Sequence, residues 1–336
     1  MSVGLQASDM ARVDLGAFLG GDASMVQRAR DDLATFGFLV LENHGVPSDA
    51  IETGYDEARA LFALPAPTLR RHGIGETPVG YLRRGEQALL GSQPDLKAVW
   101  HHAHQPPHGH RLRAAYPEAY PRNHDVAERP TLRSTLASLD RAFARCTASV
   151  MRLFAALLDL PEAPFIEMVD GAPHMLRLVH YPPVKRPPLG EERAVAHTGA
   201  GLFGLLPSAS GPGLEVCAPD GRWQRLEPVG PDQMVVTLAD QLERLSGGLL
   251  PSSLHRVRNP DGPDWRSARY AMVYFAGASP STVLFPPDVL LRRGVRPTHP
   301  PMTAEAFTTA RMQRVWRPAF SLSERAWGAA RRWWRK

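Results

Sequence analysis

From Met175 to Phe275 the chain is a succession of short apolar runs broken by turn residues: MLRLVHYPP, AHTGAGLFGLL, GLEV, DGRW, MVVTLAD, LERLSGG, SSLHRV and RYAMVYF. Asp220-Gly221, between Leu214-Glu215-Val216 and Trp223, is a hairpin signal. Met234–Leu238 reads as a buried strand and Gly247-Gly248 as a sharp connection. Many short strands separated by turn residues imply a β-sandwich or jelly roll. The expected fold is mainly β, with helices on the flanks.

Upstream the pattern changes. A helix is expected near 23–36, then a buried strand at Phe38-Leu39-Val40-Leu41 and a turn at Asn43-His44-Gly45. Ser48 is the expected N-cap of a helix with Ile51, Tyr55, Ala58 and Phe62 at helical spacing. Residues 64–128, rich in Pro, Gly and His, read as long loops with short strands. The clearest helix is 130–159, where Leu132, Leu136, Leu139, Phe143, Cys146, Val150, Leu153 and Leu157 form one stripe. Cys146 lies in that stripe and reads as a packed thiol. Helices are also expected over 303–316 and 321–336, the latter packing Trp327 and Trp334 on the body or, alternatively, lying at an interface. The chain divides into regions 1–128, 129–171, 172–282 and 283–336, expected to form one unit.

Two cysteines give no disulfide framework and suit a reducing compartment. The N-terminus lacks a basic start followed by an apolar run, and no stretch approaches the ~18–20 apolar residues of a membrane span. The expected location is the cytoplasm. The formal charge of +5 is unevenly placed: residues 311–336 hold eight Arg and Lys against Glu324, a net +7, which leaves −2 elsewhere. No module with a basic face and stacking aromatics is visible, so the expected partner is a small molecule and not a nucleic acid.

The chemistry centres on His197-Thr198-Gly199 and on His255, fifty-eight residues later. Residues two apart on a strand share a face. His-x-Asp with a distant second His is the two-histidine, one-carboxylate triad of non-haem iron enzymes. Here Gly199 stands at the carboxylate position. Taken with FGFLVLENHGVP (36–47), GYLRRGEQ (80–87) and DLKAVWH (95–101), the order of segments resembles the isopenicillin N synthase-like branch of the Fe(II)/2-oxoglutarate oxygenases, including the plant-type enzymes. The resemblance runs over nearly the whole chain. It implies a double-stranded β-helix core, jelly-roll and cupin-like, over 172–282.

The resemblance also assigns roles. His197 and His255 match the two iron ligands. Arg269, in RYAMVYF, matches the arginine that clamps the distal carboxylate of 2-oxoglutarate in two hydrogen bonds. Tyr181, in HYPP, matches a tyrosine that touches the same cosubstrate. Two contacts are lost: Val179 stands where plant-type enzymes carry Asn, and Ala271 where relatives carry Ser. His44 belongs to a turn usual in the family. The tract HHAHQPPHGH (101–110) is expected to hold surface or substrate-loop histidines, with a substrate contact or a second metal site as alternatives.

Loss of the Asp opens a coordination position. Halogenating members of the superfamily have His-x-Gly or His-x-Ala, with halide where the carboxylate would be, so Fe(II), 2-oxoglutarate and chloride are the implied cofactors. Other outcomes are an atypical hydroxylase or oxidase, a replacement acid from Glu191, Glu192 or Glu215, or a catalytically silent binding protein that keeps the fold. Asp240 matches a position that relatives keep beside their own triad Asp and is not a replacement.

Overall fold

The computed structural model describes residues 3–5, 12–75, 77–87, 95–183, 192–259 and 266–315. Its strands are β1 (Val3–Leu5), β2 (Val13–Asp14), β3 (Phe38–Glu42), β4 (Gly80–Leu82), β5 (Ala98–Ala103), β6 (Met175–Tyr181), β7 (Glu192–His197), β8 (Phe203–Pro207), β9 (Leu214–Cys217), β10 (Trp223–Leu226), β11 (Met234–Leu238), β12 (His255–Arg258) and β13 (Arg269–Ala276). They form an eight-stranded sheet, β2-β3-β11-β8-β13-β6-β5-β4, and a five-stranded sheet, β1-β10-β9-β12-β7. The expected jelly-roll sandwich is the architecture found.

The eight-stranded sheet is buried on both faces, which explains continuous apolar runs such as Phe38–Leu41. Leu39 and Leu41 join Leu176, Leu178, Met272 and Tyr274 in a large outer core against the helices. The helix Leu132–Leu157 lies there, and its whole predicted stripe is buried. Phe143 stacks on Tyr274 with ring centroids 5.0 Å apart. Phe38 and Val40 point the other way, meeting Val216 and Leu226 of the five-stranded sheet. Between the sheets, Val99, Val179, Tyr181, Ala194, Val257 and Ala271 form a second inner cluster. Cys146 is buried and its thiol is pushed up to about 12 by burial.

Several expectations shift. The helix Ser48–Phe62 starts on Ser48 itself, with Pro47 as N-cap and no side-chain cap. Residues 64–128 include a helix, Ala66–Arg71. The β-rich half also holds the helix Asp240–Ser246, ended by Gly247 at φ 62°, a left-handed conformation that glycine adopts without steric cost. In the His tract, His101 and His102 lie on β5 and, with His104, are buried rather than on a surface loop. Strand alternation sends His101 inward and His102 toward the helices. His104 Nδ1 lies 2.8 Å from Asp140, and His110 caps a short helix. His44 Nδ1 accepts from the Val46 N–H and closes its turn. The helix expected over 321–336, and Glu191, lie outside the described residues. No described helix is long and apolar enough to cross a membrane.

Candidate active site

The site is built on irregularities in β7. Paired with β12, it sets His197 opposite His255, Ala194 opposite Val257 and Glu192 opposite Arg258. β7 therefore has one extra residue between the first two pairs and another, Arg193, between the last two. Bulges of this kind bend a strand and re-aim its side chains. The two histidine rings lie with centroids 4.4 Å apart, their planes tilted by 54°.

Both rings are held by backbone carbonyls. His197 Nδ1 lies 2.7 Å from the Val195 oxygen and His255 Nδ1 2.8 Å from the Ser253 oxygen. These contacts place each proton on Nδ1 and leave Nε2 as a lone-pair donor. Burial, reinforced by His255 and Lys97, holds His197 well below the usual imidazole range; burial also lowers His255. Two neutral, oriented imidazoles this close fit a divalent iron ion.

Among the described residues no carboxylate joins them, and no group of three or more His, Cys, Asp or Glu side chains could hold a metal. Glu192 and Glu215 both pair with Arg256, at 3.1 and 2.7 Å. Asp240 accepts from the Ser252 hydroxyl at 2.7 Å and pairs with Arg311 at 3.4 Å. Arg311 also donates to the Thr198 carbonyl and hydroxyl, at 3.0 Å each. A residue that the sequence groups with a basic tail thus braces the His-x-Gly loop.

Gly199 is packed. It forms a parallel bridge with Ala239, and its carbonyl accepts from Asp240 N–H at 3.0 Å. A Cβ at 199 would stand 2.9 Å from the Ala239 Cβ. The methyl of Ala239 therefore occupies the space through which a side chain at 199 would leave the backbone. Only a pairwise reading of 199 and 239 could have found this.

The cosubstrate candidates lie on the facing sheet. Arg269 and Tyr181 are direct partners across β13 and β6, and Ala271 and Val179 are the next inward pair. The two positions without polar contacts thus adjoin each other in an apolar patch. Arg269 Nε donates to the Gly211 carbonyl at 2.9 Å, while its buried Nη1 has no acceptor. A buried guanidinium with an unused N–H fits a carboxylate ligand. Arg266 lies outside this pair, just before the strand.

Further charge points inward. Lys97 pairs with Asp95 at 2.8 Å, both buried, and Asp95 also accepts from Val195 N–H at 3.2 Å. Arg177 Nε donates to His101 Nε2 at 2.7 Å and its guanidinium lies over the Phe275 ring at 4.8 Å. Burial lowers Arg177 to about 10. Lys97 and Arg177 both act electrostatically on His197. A separate cavity of about 460 Å³ lies outside the sandwich, lined by His102, Arg113, Arg133 and Asp140 among others, and takes in none of these residues.

The geometry has counterparts. Residues 172–278 match the family described as the 2OG-Fe(II) oxygenase superfamily, and residues 10–125 match the N-terminal region of the non-haem dioxygenases, described from morphine synthesis. A 2-oxoglutarate-dependent dioxygenase of Monascus ruber is 30% identical over 281 residues, covering 78% of this chain and 83% of that protein. This chain belongs to the 2-oxoglutarate-Fe(II) oxygenase superfamily. The oxygenase is also 27% identical over 312 residues to a 2-oxoglutarate-Fe(II) type oxidoreductase of Emericella nidulans, covering 87% and 86% of the two chains. Among solved structures, a 2OG-Fe(II) oxygenase family protein of Caulobacter crescentus superposes with TM-score 0.79 at 28% identity, covering 90% of this chain and 98% of that one. The family is one of 2-oxoglutarate-dependent dioxygenases, for which iron(II) and 2-oxoglutarate are the fitting cofactors.

Proposed function

We propose that the protein is an iron(II)- and 2-oxoglutarate-dependent oxidoreductase of a small molecule, with iron held by His197 and His255 alone. The position at Gly199 is left to a small exogenous ligand, chloride or water. The observation that carries this is the convergence of two neutral, carbonyl-oriented imidazoles where every nearby described carboxylate is already paired.

Bound iron and 2-oxoglutarate would supply the family's oxidising chemistry with dioxygen as oxidant, 2-oxoglutarate losing carbon dioxide and ending as succinate. This chain's residues do the rest. Arg269 and Tyr181 bind the distal carboxylate, the Val195 and Ser253 carbonyls fix the imidazoles, and Arg311 holds Thr198. Lys97 and Arg177 make the interior electropositive, with Asp95 offsetting one charge, and this favours an anion at the open position. Chloride there supports halogenation; water supports an atypical hydroxylation or oxidation. The lack of a third protein ligand among the described residues also favours a second reading, a silent binding protein that keeps the fold.

Anaerobic calorimetric titration with Fe(II), followed by an assay for succinate, separates these. Wild type is expected to bind Fe(II) tightly, and His197→Ala or His255→Ala to abolish that binding with the fold retained. Equal binding by all three proteins sinks the metal assignment. Chloride-dependent succinate formation supports the halogenase and chloride-independent formation the hydroxylase. Iron binding without turnover leaves the silent protein.

A further inference from the structure

We infer that Arg193 is a second arm of the cosubstrate site, gripping the distal carboxylate of 2-oxoglutarate together with Arg269. The inference rests on the cosubstrate reading above. The two guanidinium groups lie by the same ring, Arg269 at 5.0 Å and Arg193 at 5.8 Å from the Tyr181 centroid. Arg193 is 2% exposed and Arg269 6%. Each has a buried N–H group without an acceptor, Nη2 of Arg193 and Nη1 of Arg269.

Neither arginine has a carboxylate in ion-pair reach among the described residues. Burial, and then the Arg269 charge, lower Arg193 below the usual guanidinium range. Two like charges buried together with unused donors are costly unless an anion arrives between them. A cation–π contact with Tyr181 would account for one arginine and leave the unused Nη2 group unexplained.

The backbone supports the same conclusion. Arg193 is the extra residue of the second of the two β7 irregularities, between Ala194 opposite Val257 and Glu192 opposite Arg258. Glu192 pairs with Arg256, while Arg193 reaches Tyr181 in the inner cluster. The arm reaches the Tyr181–Arg269 pair, which neighbours the Val179–Ala271 pair along the strands, where two polar contacts of the family are missing. It thus offers donors where the apolar pair offers none.

The test is equilibrium titration of the full chain, loaded anaerobically with Fe(II), with two ligands: 2-oxoglutarate, and 2-oxobutyrate, which lacks the distal carboxylate. Arg193→Met is expected to weaken 2-oxoglutarate binding about 30-fold or more and to leave 2-oxobutyrate within about twofold of wild type. Its ligand-free melting temperature should hold or rise, since a buried repulsion is removed, while the rise induced by 2-oxoglutarate shrinks. If Arg193→Met does not fold, Arg193→Lys serves, because a lysine cannot form the planar fork and should also weaken 2-oxoglutarate selectively. Unchanged 2-oxoglutarate affinity in the folded Arg193 variant, with Arg269→Met losing it, overturns the second arm and leaves the cosubstrate reading standing. Wild type that binds no 2-oxoglutarate overturns both.

Discussion

Putting a carboxylate back at position 199 probes packing and chemistry together. In Gly199→Asp, the new Cβ would lie 2.9 Å from the Ala239 Cβ. The bridge between 199 and 239 and the bond from Asp240 N–H to the Gly199 carbonyl leave the two segments little room to part. Overpacking of this kind costs about 1–3 kcal/mol. For a chain of 336 residues that lowers the melting temperature by about 1–4 °C. Ala239→Gly removes the obstructing methyl, so in the double variant the two changes should couple favourably by about 1–2 kcal/mol. Denaturant unfolding of wild type, both single variants and the double variant measures that coupling. Additive stabilities would refute the packing argument. The chemistry is read on the same proteins. Chloride should perturb the Fe(II)–2-oxoglutarate spectrum saturably in wild type and not in the double variant, where the carboxylate takes the position and adds negative charge. Identical wild-type spectra with and without chloride, when 2-oxoglutarate is bound, would remove the halogenase reading.

Arg269→Ala should weaken 2-oxoglutarate binding by about 2–5 kcal/mol and Arg266→Ala far less, because only Arg269 faces Tyr181 inside the sandwich. Calorimetric titration checks this, and equal affinities would place the anchor elsewhere. Stability of the metal-free protein should fall on acidification. Burial lowers His102 to about 4 and His174 to about 3, so between these values and the unfolded pKa near 6.5 the unfolded chain binds the extra protons. Their contribution is full above pH about 6.5 and fades by about 1.4 kcal/mol per pH unit for each histidine below it. Asp32, raised to about 7 by burial, works in the opposite sense, and its contribution is lost as pH rises through 7. Urea unfolding at pH 7, 6 and 5 should show a net loss, and a flat profile would refute the accounting.

The sequence by itself determined the sandwich, the helix Leu132–Leu157 with its buried stripe, and strand Met234–Leu238 to the residue. These are local periodicities, written in the spacing of apolar side chains. It also brought His197 and His255 into one hypothesis, and Arg269 with Tyr181 into another; the fold sets each pair directly opposite. Arg193 stands four residues before His197, an even offset that alternation would place on the same face. Yet Arg193 is itself the extra residue of one bulge and a second lies between it and His197, and only pairing with β12 shows where they fall. His101 and His102 looked like one loop tract until β5 sent them to opposite faces. The Ala239 methyl against Gly199, and Arg311 on Thr198, join residues 40 or more positions apart in the chain. Periodicity states which residues share a face. What stands opposite them depends on strand register and on the distance between remote segments, and those are set only when the whole chain packs.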